Sequence, residues 1–198
     1  MSGGDSLVAD NDSVKKTLLV TLVLCVVCAV VVSAAAVLLR PQQAANQALN
    51  RKENILAAAG LLQPGIGVEQ QFERVETRLV DLDSGRFTEA LDAQAYDQRK
   101  ASRDPALSTP VPPEQDIAKI QRRPRYAQVY LVRDGDGNLS RIVLPIKGYG
   151  LWSTLHGFIA LEGDLNTVAG LGFYEHAETP GLGGEVDNPS WKALWPGK

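Results

Sequence analysis

The sequence predicts an α+β protein: one N-terminal transmembrane helix, then a soluble domain with helices packed on an antiparallel sheet. Three observations carry this. Residues 18–39, LLVTLVLCVVCAVVVSAAAVLL, contain no charge. The apolar residues that follow recur at helical spacing. From residue 126 the period changes to two, and helices first with strands later is the order of an α+β domain.

At about 1.5 Å per residue the uncharged run spans roughly 33 Å, the thickness of a bilayer's hydrocarbon core. Its Leu and Val side chains each favour insertion by roughly 0.3 to 0.6 kcal/mol. The apolar part of a cleavable signal peptide runs only about 7 to 15 residues, so a retained anchor is the expectation. Lys15 and Lys16 flank one end, while Arg40, Arg51 and Lys52 lie near the other. Charge alone therefore does not fix the orientation. If the short arm of residues 1–17 stays in the cytoplasm, everything after Arg40 lies across the membrane.

After the 18–39 span, residues 40–100 are read as a helical stalk and the first part of the soluble domain. QQAANQALNRKENILAAAG consists of good helix formers and ends on Gly60, where a left-handed residue is favoured. This helix is expected to continue out of the bilayer, with Pro41 assigned to its first turn. VEQQFERVETRLV sets Val68, Phe72, Val75 and Leu79 at steps of four and three, which predicts a second helix, and DLDSG then turns the chain. Residues 101–125 hold five prolines and many charges. They predict an irregular connection with one short helix at EQDIAKI. Residues 126–198 are the antiparallel part, with strands YAQVYLV, LSRIVLPIK, HGFIALE and TVAGLGFYE separated by DGDGN, GYGLWST and GDLN.

Composition narrows the chemistry. With Lys15, Lys16, Asp5, Asp10 and Asp12 set aside, the 20 basic and 23 acidic residues become 18 against 20. A near-neutral soluble part lacks the basic face that nucleic acid requires, so no nucleic-acid partner is expected. The two cysteines, Cys25 and Cys28, fall inside the span and read as packing residues, since two thiolates do not complete a cluster. DGDGN starts like a calcium loop but has Leu139 where glycine belongs and Pro145 where glutamate belongs, so it is a hairpin turn. GYGLWS lacks the third glycine of a dinucleotide fingerprint. His176 and Glu178 mimic the H-x-E of zinc deaminases without the P-C-x-x-C that completes it, and no metal site is assigned. No G-x-S-x-G is present to support a hydrolase.

Two segments stand out after these eliminations. Trp152 sits at a strand junction beside Gly148 and Gly150, where it either plugs one end of the core or offers a flat face to a ligand. HAETPGLGGE, residues 176–185, combines a proline that restricts Thr179 with three glycines that let backbone N–H groups approach a ligand. It reads either as an elaborate strand-ending turn or as a cradle for a planar, anionic, polar-edged cofactor.

These residues resemble a known family. ETPGLGGEVDNPSW, preceded by GYGLWSTLHGFIALEGDLNTVAGLGFYEH and by KENILAAAGLL after a single anchor, is similar to the C-type subunits of the sodium-translocating NADH:quinone oxidoreductases. The E-T-P-G-L-G core is shared with the G-type subunits of Rnf electron-transport complexes, and GGEVDNP with the KENILAAAG helix favours the former. The resemblance implies a single-pass protein of the bacterial inner membrane with its soluble domain in the periplasm. It implies FMN as cofactor, with Trp152, Glu178, Thr179, Leu182 and Gly183 beside the isoalloxazine ring. In the family the flavin is joined by a phosphoester to a threonine of an S/T-G-A-T motif. Residues 1–198 hold no such motif, so attachment is expected at a threonine beyond residue 198 and the chain is expected to be a fragment or truncated product. No catalytic side chain is implied. The implied role is electron relay within a multi-subunit complex that oxidises NADH, reduces ubiquinone and pumps sodium ions, with the other subunits and membrane lipid as partners. The rival reading is a non-redox, membrane-anchored scaffold or assembly module.

Overall fold

A computed structural model describes residues 14–198, and the first thirteen positions of the predicted N-terminal arm lie outside them. The chain divides into two units, residues 1–47 and 48–198. The first is helical throughout its described part. It belongs to α1, Val14–Ala58, a continuous helix that contains the whole uncharged run and is long and apolar enough to cross a membrane. Its apolar side chains, among them Val26, Val30 and Leu38, are exposed to the surroundings, as insertion in lipid requires. The stalk continues this helix without a break. The expectation that Pro41 opens a first turn is therefore corrected: Pro41 lies inside α1, where its missing N–H removes one rung of the ladder. The strong formers on both sides carry the helix past it.

The second unit has the predicted α+β architecture. Its main strands are β1 Val75–Asp81, β2 Arg86–Thr88, β5 Tyr126–Arg133, β6 Leu139–Tyr149, β7 Thr154–Glu162 and β8 Val168–Glu175. These six form one antiparallel sheet in the order β2-β1-β5-β6-β7-β8. The predicted four-strand meander is β5 to β8, joined by short turns. A short pair, β3 Ser108–Pro110 with β4 Arg122–Pro124, stands apart from it.

The end of α1 closes the core. Ile55, Leu56, Ala58 and Ala59 are buried against Val75, Tyr130, Val132, Val143, Phe158 and Ala160 of the sheet. Burying side chains the size of Ile55, Leu56 and Phe158 contributes roughly 1.5 to 3 kcal/mol each. Phe158 stacks on Tyr174 at 5.1 Å and meets Tyr130 edge-on at 5.9 Å. The helix terminates as its sequence predicts, with Gly60 at φ +65° and the Leu61 N–H returning to the Leu56 carbonyl at 2.8 Å. Beside it, β8 comes so close that a Cβ on Gly170 would strike the Ala58 carbonyl.

Two expectations fail. VEQQFERVETRLV is not one helix: α2 is only Val68–Phe72, and Val75 to Asp81 form β1. Val75 and Leu79 are both buried, and a separation of four places residues on one side of a strand as well as of a helix. The β-branched Val75, Thr77 and Val80, pairing with β5, decide for the strand. EQDIAKI forms turns, and the helix of this region, α3, is Gln98–Arg103. Asp97 caps it by accepting from the Arg99 and Lys100 N–H groups at 3.1 Å each, a start signal stronger than any in the proline-flanked segment.

Candidate functional site

The β6–β7 turn and the chain after β8 meet at one end of the sheet. Tyr149 and Thr154 form the last pair of the β6–β7 ladder, and the Gly150 N–H donates to the Ser153 carbonyl at 2.7 Å. This tight closure lifts Leu151 and Trp152 to the tip, where they are 77% and 66% exposed. A Cβ at Gly150 would displace the ends of the Leu155 and Glu178 side chains.

Glu178 fastens the two segments together. One of its carboxylate oxygens accepts from the Trp152 N–H at 3.1 Å, the Ser153 N–H at 3.0 Å and the Ser153 hydroxyl at 3.2 Å. The Ser153 hydroxyl in turn accepts from the Ala177 N–H at 2.7 Å. Burial pushes the Glu178 carboxyl up, and the hydrogen bonds from the Trp152 and Ser153 N–H groups, the Ser153 hydroxyl and the Leu151 N–H outweigh it. The group therefore titrates below its ordinary 4.5 and is ionised at neutral pH.

A second set of bonds fixes the loop beyond. His176 accepts the Glu178 N–H on Nδ1 at 3.3 Å, which leaves the proton on Nε2, 2.7 Å from Asp187 Oδ2. Gly181 at φ +95° leads into the 3₁₀ turn Leu182–Asp187, and helix α4, Pro189–Lys192, follows, capped by Asn188. Gly183 lies against Glu178, whose Cβ would stand 3.0 Å from a methyl group there. Trp191 packs over Phe173 at 6.3 Å and touches Trp195 at 5.5 Å, which ties α4 to the sheet.

The structure thus brings Trp152, Glu178 and Gly183 together, with Leu182 on the same loop. Leu182 is 96% exposed and Thr179 is exposed. Trp152 does not plug the core. The two hydrogen-bonded turns leave an indole and a leucine side chain exposed at this end of the sheet. Ser153 and Asp187 are supporting residues that sequence reasoning missed, and His176, noted there in HAETPGLGGE and as half of an H-x-E pair, joins them. The only signal for them was the presence of hydrogen-bonding side chains beside the glycine-rich loop.

The FMN-binding domain family matches residues 150–197, starting at the glycine that closes the β6–β7 turn. The C-type subunit of the Na(+)-translocating NADH-quinone reductase of Pseudomonas aeruginosa is 56% identical over 194 residues, covering 96% of this chain and 74% of that protein. Its Vibrio vulnificus counterpart is 50% identical over 191 residues, with 96% and 74% covered. Among solved structures, Shewanella oneidensis NqrC superposes with a TM-score of 0.68 at 39% identity, over 74% of this chain and 68% of that one. The corresponding protein from Parabacteroides distasonis gives a TM-score of 0.61 at 26% identity, over 81% and 69%. With more than half its residues identical over nearly its full length and the same fold, this chain belongs to the NqrC family, the C-type subunits of the Na(+)-translocating NADH-quinone reductases.

Proposed function

We propose that the chain is the FMN-carrying electron-transfer subunit of a membrane complex that oxidises NADH, reduces ubiquinone and moves sodium ions out of the cytoplasm. The observation that carries this reading is the coincidence of the FMN-binding family match with the two joined turns at residues 150–153 and 176–187. When bound, FMN supplies one-electron acceptor and donor chemistry. The chain's own residues would bind and orient it: Trp152 and Leu182 offer apolar contact to the ring, Thr179 lies at the rim, and Glu178 and Gly183 hold the two turns at a fixed spacing. No side chain needs to act as nucleophile or base.

In this reading FMN is tethered through a phosphoester to a threonine of an S/T-G-A-T motif, outside residues 1–198. The anchor is α1, in contact with lipid, and the soluble unit lies in the periplasm beside the other subunits.

Two measurements test the proposal. FMN titrated into the chain in detergent micelles is expected to quench tryptophan fluorescence, and Trp152→Ala is expected to weaken binding roughly tenfold, the scale of one lost aromatic contact. Unchanged affinity in that variant would remove Trp152 from the site. Peptide mass spectrometry of the protein from its source organism is expected to find no flavin on any residue up to Lys198. A flavinylated peptide within that range would refute attachment elsewhere.

A further inference from the structure

A cavity of about 500 Å³ opens between α3, residues 119–122 and the ends of β6 and β7, next to the turn that carries Trp152. Six cationic side chains line it: Arg51, Arg99, Arg103, Lys119, Arg122 and Lys147. Among the described residues, no aspartate or glutamate does. Three of the six are held internally. Arg51 donates to Gln128 and Tyr130 at 2.6 and 2.9 Å, Arg99 pairs with Glu175 at 2.9 Å, and Arg122 donates to the Ser108 hydroxyl and carbonyl at 2.8 and 2.6 Å. Arg103, Lys119 and Lys147 have no carboxylate within ion-pair distance among the described residues. The carboxylates that act on Lys147 and His156 have other partners as well: Glu175 pairs with Arg99, and Asp116 accepts from the Ile120 and Gln121 N–H groups at 2.7 Å each.

Such a gathering of positive charge is unfavourable without a counter-charge. Lys147 gives up its proton more readily than a free lysine because of burial, with Asp116 opposing and Arg103 adding to the effect. Its cross-strand neighbour His156 is depressed by burial and by Arg99, Lys147 and Arg103, against the pull of Glu175. Arg51 Nε is buried with no hydrogen-bond partner.

We propose that this cleft binds the phosphate group of a phosphate monoester. Three cations without an ion-pair partner favour a ligand with more than one negative charge, and tetrahedral oxygens suit donors converging from several sides better than a planar carboxylate does. The volume suits a small organic molecule, and the rings of Tyr149, His156 and Tyr174 on the wall provide flat surface for its organic part. Two sources share this chemistry: the phosphate end of FMN before it is tethered, in which case the proposal rests on the flavin reading above, or a separate phosphate ester.

The test uses the full chain in detergent micelles with inorganic phosphate, FMN and riboflavin as probes. Phosphate at millimolar concentration is expected to raise Tm relative to chloride at equal ionic strength. Arg103→Gln/Lys147→Gln is expected to abolish that gain while raising Tm in phosphate-free buffer, because the like charges are relieved. A control with the same charge change elsewhere, Arg86→Gln/Lys100→Gln, is expected to keep the phosphate effect. If FMN binds at least tenfold more tightly than riboflavin, and the cleft variant removes that ratio while riboflavin affinity holds, the phosphate is FMN's own. If the ratio survives while the inorganic phosphate effect is lost, the source is a separate ester. Loss of riboflavin binding in Trp152→Ala tests the flavin reading independently of the cleft. Phosphate-induced amide shifts at Arg103, Lys119 and Lys147 in the unmodified chain supply the answer if the double variant does not fold. No phosphate effect on Tm or on those amides, or an equal effect in a folded cleft variant, overturns the proposal.

Discussion

At the scale of single residues, Glu178 shows how one side chain of the glycine-rich loop can hold two segments of chain together. Its carboxylate collects the donors of the opposite turn, so its charge is a structural requirement of the Trp152 tip. Because its pKa in the fold lies below the unfolded value, the stability it contributes is present above about pH 4.5 and is lost as pH falls through the lower folded value. Urea unfolding of the wild type from pH 6 to pH 3 is expected to show this loss, and Glu178→Gln is expected to flatten that part of the profile. Glu178→Ala, which deletes the acceptor, is expected to weaken FMN binding roughly tenfold or more. The loop's standing as a candidate was legible in ETPGLGG. The direction of the carboxylate was not, because its donors sit some twenty-five residues earlier in the chain. The basic cleft was hidden for the same reason: its cations run from Arg51 to Lys147 in a soluble part whose net charge is near zero.

At the scale of elements, the period-two pattern of β5 to β8 and the apolar run of α1 were readable because each repeats a strong local signal over many residues. The stretch after Val68 was misread because a spacing of four satisfies both periods, and only the tertiary pairing of β1 with β5 separates them. The short helix was misplaced because its decisive signal, the Asp97 cap, is one residue rather than a pattern. Contact between elements carries its own prediction. Gly170→Ala would drive a methyl group against the Ala58 carbonyl, which is backbone and has little room to yield. A destabilisation of about 1 to 3 kcal/mol is expected, read as a lower urea midpoint with an unchanged m-value. An unaltered midpoint would mean that β8 and the end of α1 are not in close contact.

At the scale of the whole molecule, the long apolar helix lies mostly in one unit, and the unit that starts at Ala48 holds the sheet and the residues matched by the FMN-binding family. The proposed periplasmic placement predicts that alkaline phosphatase fused after Lys198 is active in cells, while a fluorescent protein that matures only in the cytoplasm stays dark at the same position. The reverse pattern would overturn the placement.

The strand order has a bearing on how the protein acquires its shape. From β5 to β8 every strand pairs with its immediate successor, so this half of the sheet zips up hairpin by hairpin at small entropic cost. The earlier β1 has to wait for β5 to emerge from the ribosome after a long excursion of chain. The latch made by Glu178 is synthesised later still, after the β6–β7 turn whose N–H groups it accepts from.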